Sequence, residues 1–470
     1  MLDSLKKKIP QHHPLRLLYH KTMAILAALY YRFPGDRMTV IGVTGTNGKT
    51  TTVHLISEIL REAGHKVGFL TTADFRIDEE LWPNEAKMTT LPPFKLQRYL
   101  RLMADQGCQY AVVEVTSHAL DQSRLWGVSI DIAISTNVTH DHLDYHMTAE
   151  AYLKAKGKLF NSLNYSKRKP NIPKVSILNA EDPSVTYFQK FVADRTFLYG
   201  ITKGSFCASD ITLRADSSTF TFRVPNDRAE ITLPLPGQFN IENALAAATV
   251  AVALQINLPI IKRALEKAAP VPGRMEPIRE GQKYGVIVDY AHAPDSLEKM
   301  LAMFRPLTSK RLMVVFGATG DRDRSKRPIM GEIVHRYADW IVLTDDDPYT
   351  EDPLQIMGEV KKGIPRKEGE NFWIIPDRRE AIRVALAVAR EGDTVIVTGK
   401  GCEPYQVVGD RKIPSDDRQI VRGYLSREVE VEIGEGKVQV GNRYLESGGK
   451  ILNFKYFSWW IFRMKKLLRQ

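Results

Sequence analysis

A glycine-rich turn between a strand-like segment and a helix-like segment constrains this chain more than any other feature. Residues 39–43 are β-branched and apolar, which predicts a buried strand, and apolar residues recur at helical spacing from Val53 to Leu60. The turn between them reads GTNGKTTT. Its glycines, Gly45 and Gly48, let backbone N–H groups approach phosphate oxygens, the helix N-terminus adds its dipole, and Lys49 adds positive charge. The turn is therefore predicted to bind phosphate.

The predicted nucleotide-binding loop comprises Gly45, Thr46, Asn47, Gly48, Lys49, Thr50 and Thr51. The general P-loop pattern places a glycine five positions before the Gly–Lys pair, where this chain has Val43. The alternative is a glycine turn that only joins the strand to the helix. The run from Gly48 to Thr50 and both flanking segments favour the phosphate site.

Two oxygen-bearing side chains near this turn predict a magnesium site. Thr50 follows Lys49, at the position where a P-loop hydroxyl ligates Mg²⁺. Glu114 lies at the end of the apolar strand predicted over residues 110–115, and α/β domains place their ligands at the carboxyl ends of parallel strands. We expect both side chains to face the same ion.

Length, cysteine content and charge narrow the class of protein. A chain of 470 residues is long enough for two or three domains, and its three cysteines form no CxxC pair. We expect a cytoplasmic protein, since no apolar run approaches the roughly 20 residues of a membrane span. The net charge of +11 is concentrated in residues 1–21 and 450–470, so we expect no nucleic-acid surface on the body of the protein.

Both basic ends also carry apolar and aromatic residues. Residues 15–31 form one such segment, and 454-FKYFSWWIFRMKKLL-468 forms the other. Segments of this kind can lie on an anionic membrane surface. The mixture of basic and aromatic residues in the tail therefore favours peripheral contact with the inner face of the membrane. The alternative for both is a helix packed on the body of the protein with its charges in water.

Strand-like and helix-like stretches alternate from residue 39 onward, which predicts an α/β fold with a mainly parallel sheet. We expect a short N-terminal segment (1–38), a central P-loop ATPase domain (39–269), a C-terminal Rossmann-like α/β domain (270–430) and a basic aromatic tail (431–470). The boundary falls in the Pro/Gly-rich passage 268–277, which follows a helix predicted over 243–253 and a second helix that ends near Ala269. Strands of the second domain are predicted over 286–289, 312–316, 340–344 and 394–398. Residues 203–235 alternate with a period of two and predict an antiparallel insert or edge.

A histidine-rich stretch, 137-NVTHDHLDYH-146, offers two interpretations. It is a metal-binding loop with His142 as the ligand, or it is a hydrogen-bonded structural turn. Its spacing matches no standard zinc site.

Nine segments occur in the order found in the Mur ligases, which this chain resembles over residues 39–425. They are GTNGKTTT, EVTSHALDQSR, TNVTHDHLDYH, AYLKAKGKLF, GQFNIENALAA, VPGRME, DYAHAPDSL, GATGDRDRSKRP and GKGCEPYQ. The resemblance is strongest to the members that extend the peptidoglycan stem peptide by its third residue. It implies an ATP-dependent amide ligase that adds lysine, ornithine or meso-diaminopimelate to UDP-N-acetylmuramoyl-L-alanyl-D-glutamate through an acyl phosphate.

The resemblance also implies roles for individual residues. The implied catalytic residues are Lys49, His142 and Lys156, and the implied Mg²⁺ ligands are Thr50, Glu114, His142 and Lys156. Lys156 falls where the family carries a carbamylated lysine; the alternative is an exposed helical lysine. The implied nucleotide residues beyond the loop are Asn240, Asn243, Arg274, Asp289 and His292. Domain closure around ATP would bring the last three to the loop.

Substrate residues are implied in two groups. Those for the acceptor peptide are Thr89, Thr90, Thr116, Gln122 and Arg124, with Thr116 replacing the usual serine. Those for the incoming amino acid are Arg322, Asp346, Asp347, Tyr349, Gly399 and Glu403. Diaminopimelate-using members read DNPR where this chain reads DDPY, so an arginine is absent and a carboxylate is added. This difference predicts a preference for an amino acid whose side chain ends in an ammonium group.

Other interpretations remain open. Family members carry a uridine-binding domain before the phosphate-loop strand, and we expect that domain to be missing here. The alternatives to the tripeptide ligase are another Mur-like ligase, of the folylpolyglutamate or poly-γ-glutamate synthetase type, and a non-catalytic nucleotide-binding scaffold. We expect a monomer whose partners are UDP-muramoyl-dipeptide and a free amino acid.

Overall fold

A computed structural model describes residues 13–84, 86, 88–139, 143–214, 216–426, 433–434, 437–440 and 443–446. Both basic ends therefore fall largely outside the described residues: residues 1–12 and the aromatic tail segment 447–470, on which the predicted membrane contact depends. The chain divides into two compact units, Met1–Val421 and Arg422–Gln470. No helix among the described residues combines the length and the apolar character needed to cross a bilayer.

Helices and strands alternate along the first part of the chain. In chain order they are α1 (Pro14–Tyr30), a 3-10 helix (Pro34–Arg37), β1 (Thr39–Thr44), α2 (Lys49–Glu62), β2 (Val67–Leu70), β3 (Asp74–Ile77), β4 (Glu80–Pro83), α3 (Pro93–Asp105), β5 (Tyr110–Glu114), α4 (Ser117–Asp121), β6 (Ile130–Ser135), α5 (Leu143–His146), α6 (Ala149–Tyr165), β7 (Val175–Asn179), α7 (Val185–Phe188), β8 (Arg195–Gly200), β9 (Phe206–Leu213), β10 (Ser218–Val224), β11 (Asp227–Leu233), α8 (Gln238–Ala253) and α9 (Leu258–Glu266).

The alternation continues through the rest of the chain. The elements after α9 are β12 (Glu276–Pro277), β13 (Gly285–Asp289), α10 (Pro294–Leu307), β14 (Leu312–Phe316), α11 (Lys326–Tyr337), β15 (Trp340–Leu343), α12 (Pro353–Lys361), β16 (Phe372–Ile374), α13 (Arg378–Val388), β17 (Thr394–Thr398), β18 (Tyr405–Val408), β19 (Arg411–Pro414), α14 (Asp417–Leu425), β20 (Ile433–Gly434), β21 (Lys437–Val440) and β22 (Arg443–Glu446).

The first eleven strands form one sheet in the order β11-β10-β9-β8-β7-β6-β1-β5-β2-β3-β4. Its central strands are parallel, and its two margins are antiparallel. The predicted α/β fold with a mainly parallel sheet is confirmed, and so is the antiparallel edge predicted over residues 203–235, which β9, β10 and β11 form. The sheet places the phosphate loop centrally, since the loop follows β1 and both neighbours of β1 are parallel to it.

Side chains of α9 lie along the outer edge of β11. Glu266 accepts a hydrogen bond of 3.3 Å from the backbone N–H of Thr232, and Lys262 donates to the carbonyl oxygen of Glu230. Lys262 and Glu266 also pair with each other at 3.1 Å, one helical turn apart. Helix α9 thus binds two backbone groups of this edge strand, the N–H of Thr232 and the carbonyl oxygen of Glu230.

The sheet carries apolar residues on both faces, and both faces are buried. All six residues of β1 are buried, and α2 covers one face with Val53, Ile56, Ile59 and neighbouring side chains. Helix α8 begins at Gln238, five residues before the apolar stretch that indicated it in the sequence. Its N-cap, Gly237, adopts a φ of 96°, and the buried polar residues Asn240 and Asn243 interrupt the apolar pattern of its first turns.

A second sheet contains six strands in the order β12-β13-β17-β14-β15-β16. All pairs except β12–β13 are parallel, as predicted for a Rossmann-like arrangement. Helices α10, α11 and α12 contribute its core with the strands. The Pro/Gly-rich passage 268–277 follows α9 and ends with the two residues of β12, Glu276 and Pro277. Strands β20–β22 form a separate three-stranded antiparallel sheet within the second unit.

Candidate functional site

The phosphate loop joins β1 to α2 in a conformation that requires its glycines. Gly45 and Gly48 have φ values of 150° and 83°, which L side chains rarely adopt. A Cβ atom at Gly45 would overlap the hydroxyl of Thr136, and one at Gly48 would overlap the side-chain oxygen of Asn243. Among the described residues no side chain caps the N-terminus of α2, so its first-turn N–H groups can serve an anion at the loop.

Two lysines meet at one carbonyl of this loop. The Lys49 ammonium lies 3.1 Å from the oxygen of Gly45 and 2.9 Å from that of Thr46, while the Lys156 ammonium lies 2.7 Å from the oxygen of Gly45. Lys156 is 1% exposed and lies over the ring of Tyr152 at 4.4 Å. It is therefore not the exposed helical lysine of the alternative interpretation. The loop holds two positive charges where phosphate is predicted.

Glu114 connects the loop to the end of β2. It accepts hydrogen bonds from the hydroxyl of Thr50 at 2.9 Å and from the backbone N–H of Thr72 at 2.9 Å. The carboxylate is buried, and the Lys49 ammonium lies 3.9 Å away. The structure thus brings Thr50 and Glu114 together as a pair of oxygen donors, the ligand type that Mg²⁺ prefers.

The described part of the histidine-rich stretch is bound to the phosphate loop. The N–H of Asn47 donates to the side-chain oxygen of Asn137 at 2.9 Å, and the N–H of Thr139 donates to the hydroxyl of Thr46 at 3.0 Å. These hydrogen bonds fix residues 137–139 against the loop, and the choice between a metal-binding loop and a structural turn stays a prediction. His142, the predicted ligand, lies outside the described residues. Among the residues that are described, no cluster of three or more His, Cys, Asp or Glu side chains is suited to a metal.

The residues predicted for the acceptor adjoin the loop and one another. Thr72 donates to Thr89 at 2.8 Å, and the hydroxyls of Thr90 and Thr116 lie 3.3 Å apart. Arg124 donates to the carbonyl of Thr90 at 2.8 Å and to the side-chain oxygen of Gln122 at 2.9 Å. Since Thr90 also donates to the backbone oxygen of Glu114 at 2.9 Å, the group is continuous with the oxygen pair at the loop.

The predicted nucleotide residues of α8 lie against the phosphate loop and α2. The side-chain amide of Asn240 donates to the carbonyl of Pro236 at 2.7 Å, and that of Asn243 donates to Asn240 at 3.3 Å. Thr52 donates to Asn243 at 3.4 Å. Asn243 thus supports the first turn of α2 from the side.

The predicted nucleotide residues of the second sheet form their own cluster. Both carboxylate oxygens of Asp289 accept backbone N–H groups, from Met275 and Ala291, at 2.7 Å each, and burial raises the pKa of this carboxyl. Arg274 lies over the ring of Tyr290 at 4.3 Å, and its Nε atom is buried without a hydrogen-bond partner among the described residues. His292 contacts the carbonyl of Tyr290 at 2.8 Å.

Asp295, which sequence reasoning missed, connects the second sheet to the phosphate loop. It lies three residues after His292, in the first turn of α10. Its carboxylate accepts the side-chain amide of Asn47 at 2.9 Å and the hydroxyl of Thr139 at 3.3 Å. The chain segment between Asn47 and Asp295 spans 248 positions, so no local pattern could indicate the contact.

Lys400 is a second residue that sequence reasoning missed, in the group predicted for the incoming amino acid. It is fully buried and donates to Asp347 at 2.7 Å and to Glu403 at 2.8 Å. Burial opposes the charge, but the surrounding carboxylates outweigh it and raise the pKa of Lys400. Its position between Gly399 and Gly401, three residues before Glu403, was the available signal.

Two further carboxylates lie beside this ion-paired group. Asp346 is buried, one of its oxygens faces Gly399 without a hydrogen-bond partner among the described residues, and burial raises the pKa of its carboxyl. Burial, with the neighbouring Asp346 charge second, raises the pKa of Asp345 to about 7. The region is rich in carboxylates that the protein holds at a cost in free energy.

Tyr349 and Arg322 form the outer part of the same group. The guanidinium of Arg322 lies 5.3 Å from the centre of the Tyr349 ring. The backbone of Tyr349 is fixed by the β18–β19 hairpin, because its N–H donates to Val407 at 3.2 Å and its carbonyl accepts from Gly409 at 2.7 Å. All six residues predicted for the incoming amino acid thus belong to one region at the carboxyl ends of β14, β15 and β17.

Two family models match the chain. The Mur ligase middle domain matches residues 43–251, and the Mur ligase glutamate ligase domain matches residues 273–401. Together they cover both sheets except residues 39–42 of β1, and they cover every predicted site residue except Glu403.

Individual relatives agree with these matches. The chain is 44% identical over 405 residues to the UDP-N-acetylmuramoyl-L-alanyl-D-glutamate--2,6-diaminopimelate ligase of Geobacillus thermodenitrificans, which covers 86% of this chain and 82% of the relative. It is 41% identical over 425 residues to the UDP-N-acetylmuramyl-tripeptide synthetase of a Roseiflexus species, covering 88% and 82%. A solved structure of a UDP-N-acetylmuramoyl-L-alanyl-D-glutamate--2,6-diaminopimelate ligase superposes with a TM-score of 0.59 at 36% identity, covering 83% of this chain and 78% of the other.

Proposed function

The chain belongs to the Mur ligase family, whose members are ATP-dependent, ADP-forming ligases, and from this premise we propose that it adds the third amino acid to UDP-N-acetylmuramoyl-L-alanyl-D-glutamate. The Geobacillus and Roseiflexus relatives are described as a diaminopimelate ligase and a tripeptide synthetase. The product would be the muramoyl tripeptide of peptidoglycan synthesis.

One observation carries this proposal: a continuous hydrogen-bonded group joins the phosphate loop to the residues predicted for the acceptor. It runs from Thr50 through Glu114 to Thr72 and Thr90, and on to Arg124. A ligase of this type must hold a carboxylate of the acceptor next to the terminal phosphate of ATP. Fixed polar groups that reach from one to the other satisfy that requirement.

The residues present fit magnesium and a nucleotide. The loop is a cradle that Cβ atoms at Gly45 and Gly48 would fill, and Thr50 and Glu114 offer hydroxyl and carboxylate oxygens 2.9 Å apart. Bound Mg²⁺–ATP would supply the phosphoryl group that activates the acceptor carboxylate as an acyl phosphate. Lys49 and the first N–H groups of α2 would neutralise the charge of the transferred group.

Lys156 and His142 complete the proposed catalytic set. Lys156 is held at the loop by the carbonyl of Gly45 and is shielded from solvent, so its ammonium adds positive charge where phosphoryl transfer takes place. A carbamate on Lys156 would instead add a carboxylate ligand beside Thr50 and Glu114. His142 is proposed as a further ligand from its position in the sequence alone.

The acceptor and the nucleotide would be oriented by the two remaining groups. Arg124, paired with Gln122 and the Thr90 carbonyl, presents a cation to the acceptor carboxylates. Asn240 and Asn243 lie beside the loop, and Arg274, Asp289 and His292 would approach the nucleotide from the second sheet.

The carboxylate-rich region supports an incoming amino acid with a cationic side chain, such as lysine or ornithine. Asp347 and Glu403 share the single charge of Lys400, which leaves one negative charge on that trio, and Asp346 is a further buried carboxyl. Tyr349 offers no cation for a second carboxylate, so diaminopimelate would meet repulsion there. Arg322 would bind the α-carboxylate common to all candidates.

Release of ADP, measured with the muramoyl dipeptide and a panel of amino acids, tests the proposal. We expect turnover with lysine or ornithine to exceed turnover with meso-diaminopimelate, and Lys49→Ala to lower the rate by about 100-fold or more. Lys154→Ala is the matched control, since Lys154 is an exposed helical lysine paired only with Glu150 in the described contacts. A preference for diaminopimelate would overturn the selectivity, and release of ADP only with a folate or polyglutamate acceptor would overturn the function.

A further inference from the structure

Asp295 occupies an unusual position for an acidic residue of a helix N-terminus. Helix α10 is anchored to the core of the second sheet through Leu297, Leu301 and Phe304, and its N-cap residue, Ala293, makes no side-chain cap. An aspartate in such a first turn commonly stabilises its own helix. Here its carboxylate also extends to Asn47, a residue of the phosphate loop on the other sheet.

Asn47 lies in the middle of the phosphate loop. It stands between Gly45 and Gly48, the two positions with the greatest backbone freedom. Its N–H and carbonyl are bound by Asn137 and Thr136, both next to β6 of the first sheet. The side chain of Asn47 is bound by Asp295, so the second sheet holds the loop through this contact.

The contact has an electrostatic cost that the structure partly offsets. A carboxylate near a phosphate loop repels the incoming phosphates. Lys299, one turn further along α10, binds the two oxygens of Asp295 at 3.0 and 3.1 Å and neutralises much of that charge. The group that reaches the loop is therefore an ion pair, in which Oδ2 of Asp295 accepts from Asn47 and Thr139 as well as from Lys299.

We propose that Asp295 is a positioning residue for phosphoryl transfer, which holds Asn47 so that the phosphate loop keeps its binding geometry only while α10 is docked. The residue acts through Asn47 and Thr139 and does not contact the reacting atoms. The conformation of the loop on one sheet thereby depends on the placement of the other.

The first test measures hydrogen exchange of the peptide that contains residues 45–51, in the full protein without nucleotide. We expect Asp295→Ala and Asp295→Ser to speed this exchange several-fold, because neither side chain reaches Asn47, whereas serine still suits a helix first turn. Asp295→Asn retains an acceptor oxygen and should exchange like the wild type. Glu380→Ala is the matched control, since Glu380 lies in the first turn of α13 and pairs with Arg383 on its own helix.

The second test separates kcat from KM for ATP. We expect Asp295→Ala and Asp295→Ser to lower kcat by about 10-fold to 100-fold, because each loses one charge-assisted hydrogen bond. We expect Asp295→Asn to keep most of the wild-type kcat. Thr139→Val should add little in the Asp295→Ala background, because both act through the same bridge. Wild-type exchange in Asp295→Ala, or equal defects in Asp295→Asn and Asp295→Ala, would overturn the inference.

The two tests also distinguish this inference from the proposed function. Only the second test, which measures kcat, rests on the proposed function. If the wild type catalyses no ligation but Asp295→Ala and Asp295→Ser exchange faster than the wild type, the proposed function is overturned and the positioning role remains. Ligation that proceeds normally while all variants exchange alike would overturn the positioning role and leave the proposed function.

Discussion

Asp345 shows at the scale of a single residue how the carboxylate-rich region affects stability. Its pKa is raised to about 7 by burial and, second, by Asp346, so the protonated form is favoured in the folded state. For an acid with a raised folded pKa, stability falls as pH rises from the unfolded pKa near 4 to about 7, and the whole penalty remains above that.

We predict that Asp345→Asn removes this penalty. The asparagine oxygen can still accept the hydrogen bond of 3.0 Å from Gln406. The variant should gain about 2–3 kcal/mol more unfolding free energy at pH 8 than at pH 5, relative to the wild type. Urea unfolding at the two pH values measures this difference, and equal gains at both would show that the carboxyl titrates normally.

Replacement of Lys400 is predicted to lower the unfolding free energy, whereas Asp345→Asn raises it. Replacement by methionine conserves most of the volume but leaves Asp347 and Glu403 without the cation that they share. Loss of one partner from a buried ion pair costs about 3 kcal/mol or more, and we expect a loss of that order in unfolding free energy at pH 7. Lys361→Met, at the end of α12, is the control on an exposed lysine. An unchanged stability for Lys400→Met would contradict the pairing.

Residues of the site differ in how far the sequence could predict them. Lys49 and Thr50 belong to one local motif whose spacing has a physical reason, so they could be placed from the sequence. Asp295 and Lys400 lie within the segments DYAHAPDSL and GKGCEPYQ, but their partners are 248 and 53 positions away, so neither segment could indicate the contact. Their roles arise only when the fold brings distant carboxylates, amides and ammonium groups together.

At the scale of an element, α6 determines where Lys156 lies. The next residue, Gly157, faces α7 and the segment after it, and a Cβ atom there would lie 2.7 Å from the ring of Tyr187 and 3.0 Å from that of Phe191. The absence of a side chain at 157 therefore lets α6 pack close to these rings and directs Lys156 toward the loop.

We predict that Gly157→Ala destabilises the protein by about 1–3 kcal/mol and lowers turnover, because the added methyl group would overlap these rings and either the rings or α6 must shift. Gly358→Ala is the matched control, since Gly358 also lies within a helix, α12, but in the described part of the chain no atom lies within 4 Å of an added Cβ atom. It should be neutral or stabilising by up to about 1 kcal/mol. Thermal unfolding and ADP release check both, and equal effects would contradict the packing argument.

Elements were predictable to the extent that their patterns were purely apolar. Strands β14 and β17 agree with the predicted bounds at both ends because β-branched and apolar residues fill them. Helix α8 was predicted to begin at Asn243, since Asn240 and Asn243 resemble loop residues until their buried partners are known. The domain boundaries proposed at residues 38, 269 and 430 stay predictions.

At the scale of the whole molecule, the two sheets are joined by apolar contact as well as by Asp295. Phe239, in the first turn of α8, packs with Met303 of α10 against the core of the second sheet. The helix that supports the phosphate loop thus contributes to both cores. Stability of one sheet should therefore depend on the other.

We predict that Phe239→Ala lowers the unfolding free energy by about 2 kcal/mol and separates the unfolding of the two sheets. Trp82 and Trp126 report on the first sheet, and the Trp340–Trp373 pair, with ring centres 4.4 Å apart, reports on the second. Hydrogen exchange of β1 and β14 distinguishes the two directly. Leu354→Ala, at an exposed position, should leave the transition unchanged. A single unaltered transition in Phe239→Ala would contradict the coupling.

The two edge strands of the large sheet, β11 and β4, affect whether copies of this protein can pair edge to edge. At β11, Lys262 and Glu266 occupy backbone groups that an incoming strand would need, and at β4 Pro83 lacks an N–H while the exposed Glu80 adds charge. At β11 a second chain could extend the sheet only by displacing the side chains of Lys262 and Glu266, and at β4 it would meet Pro83 and the charge of Glu80. Edge-to-edge aggregation should therefore be suppressed even at the high protein concentrations of a crowded cell.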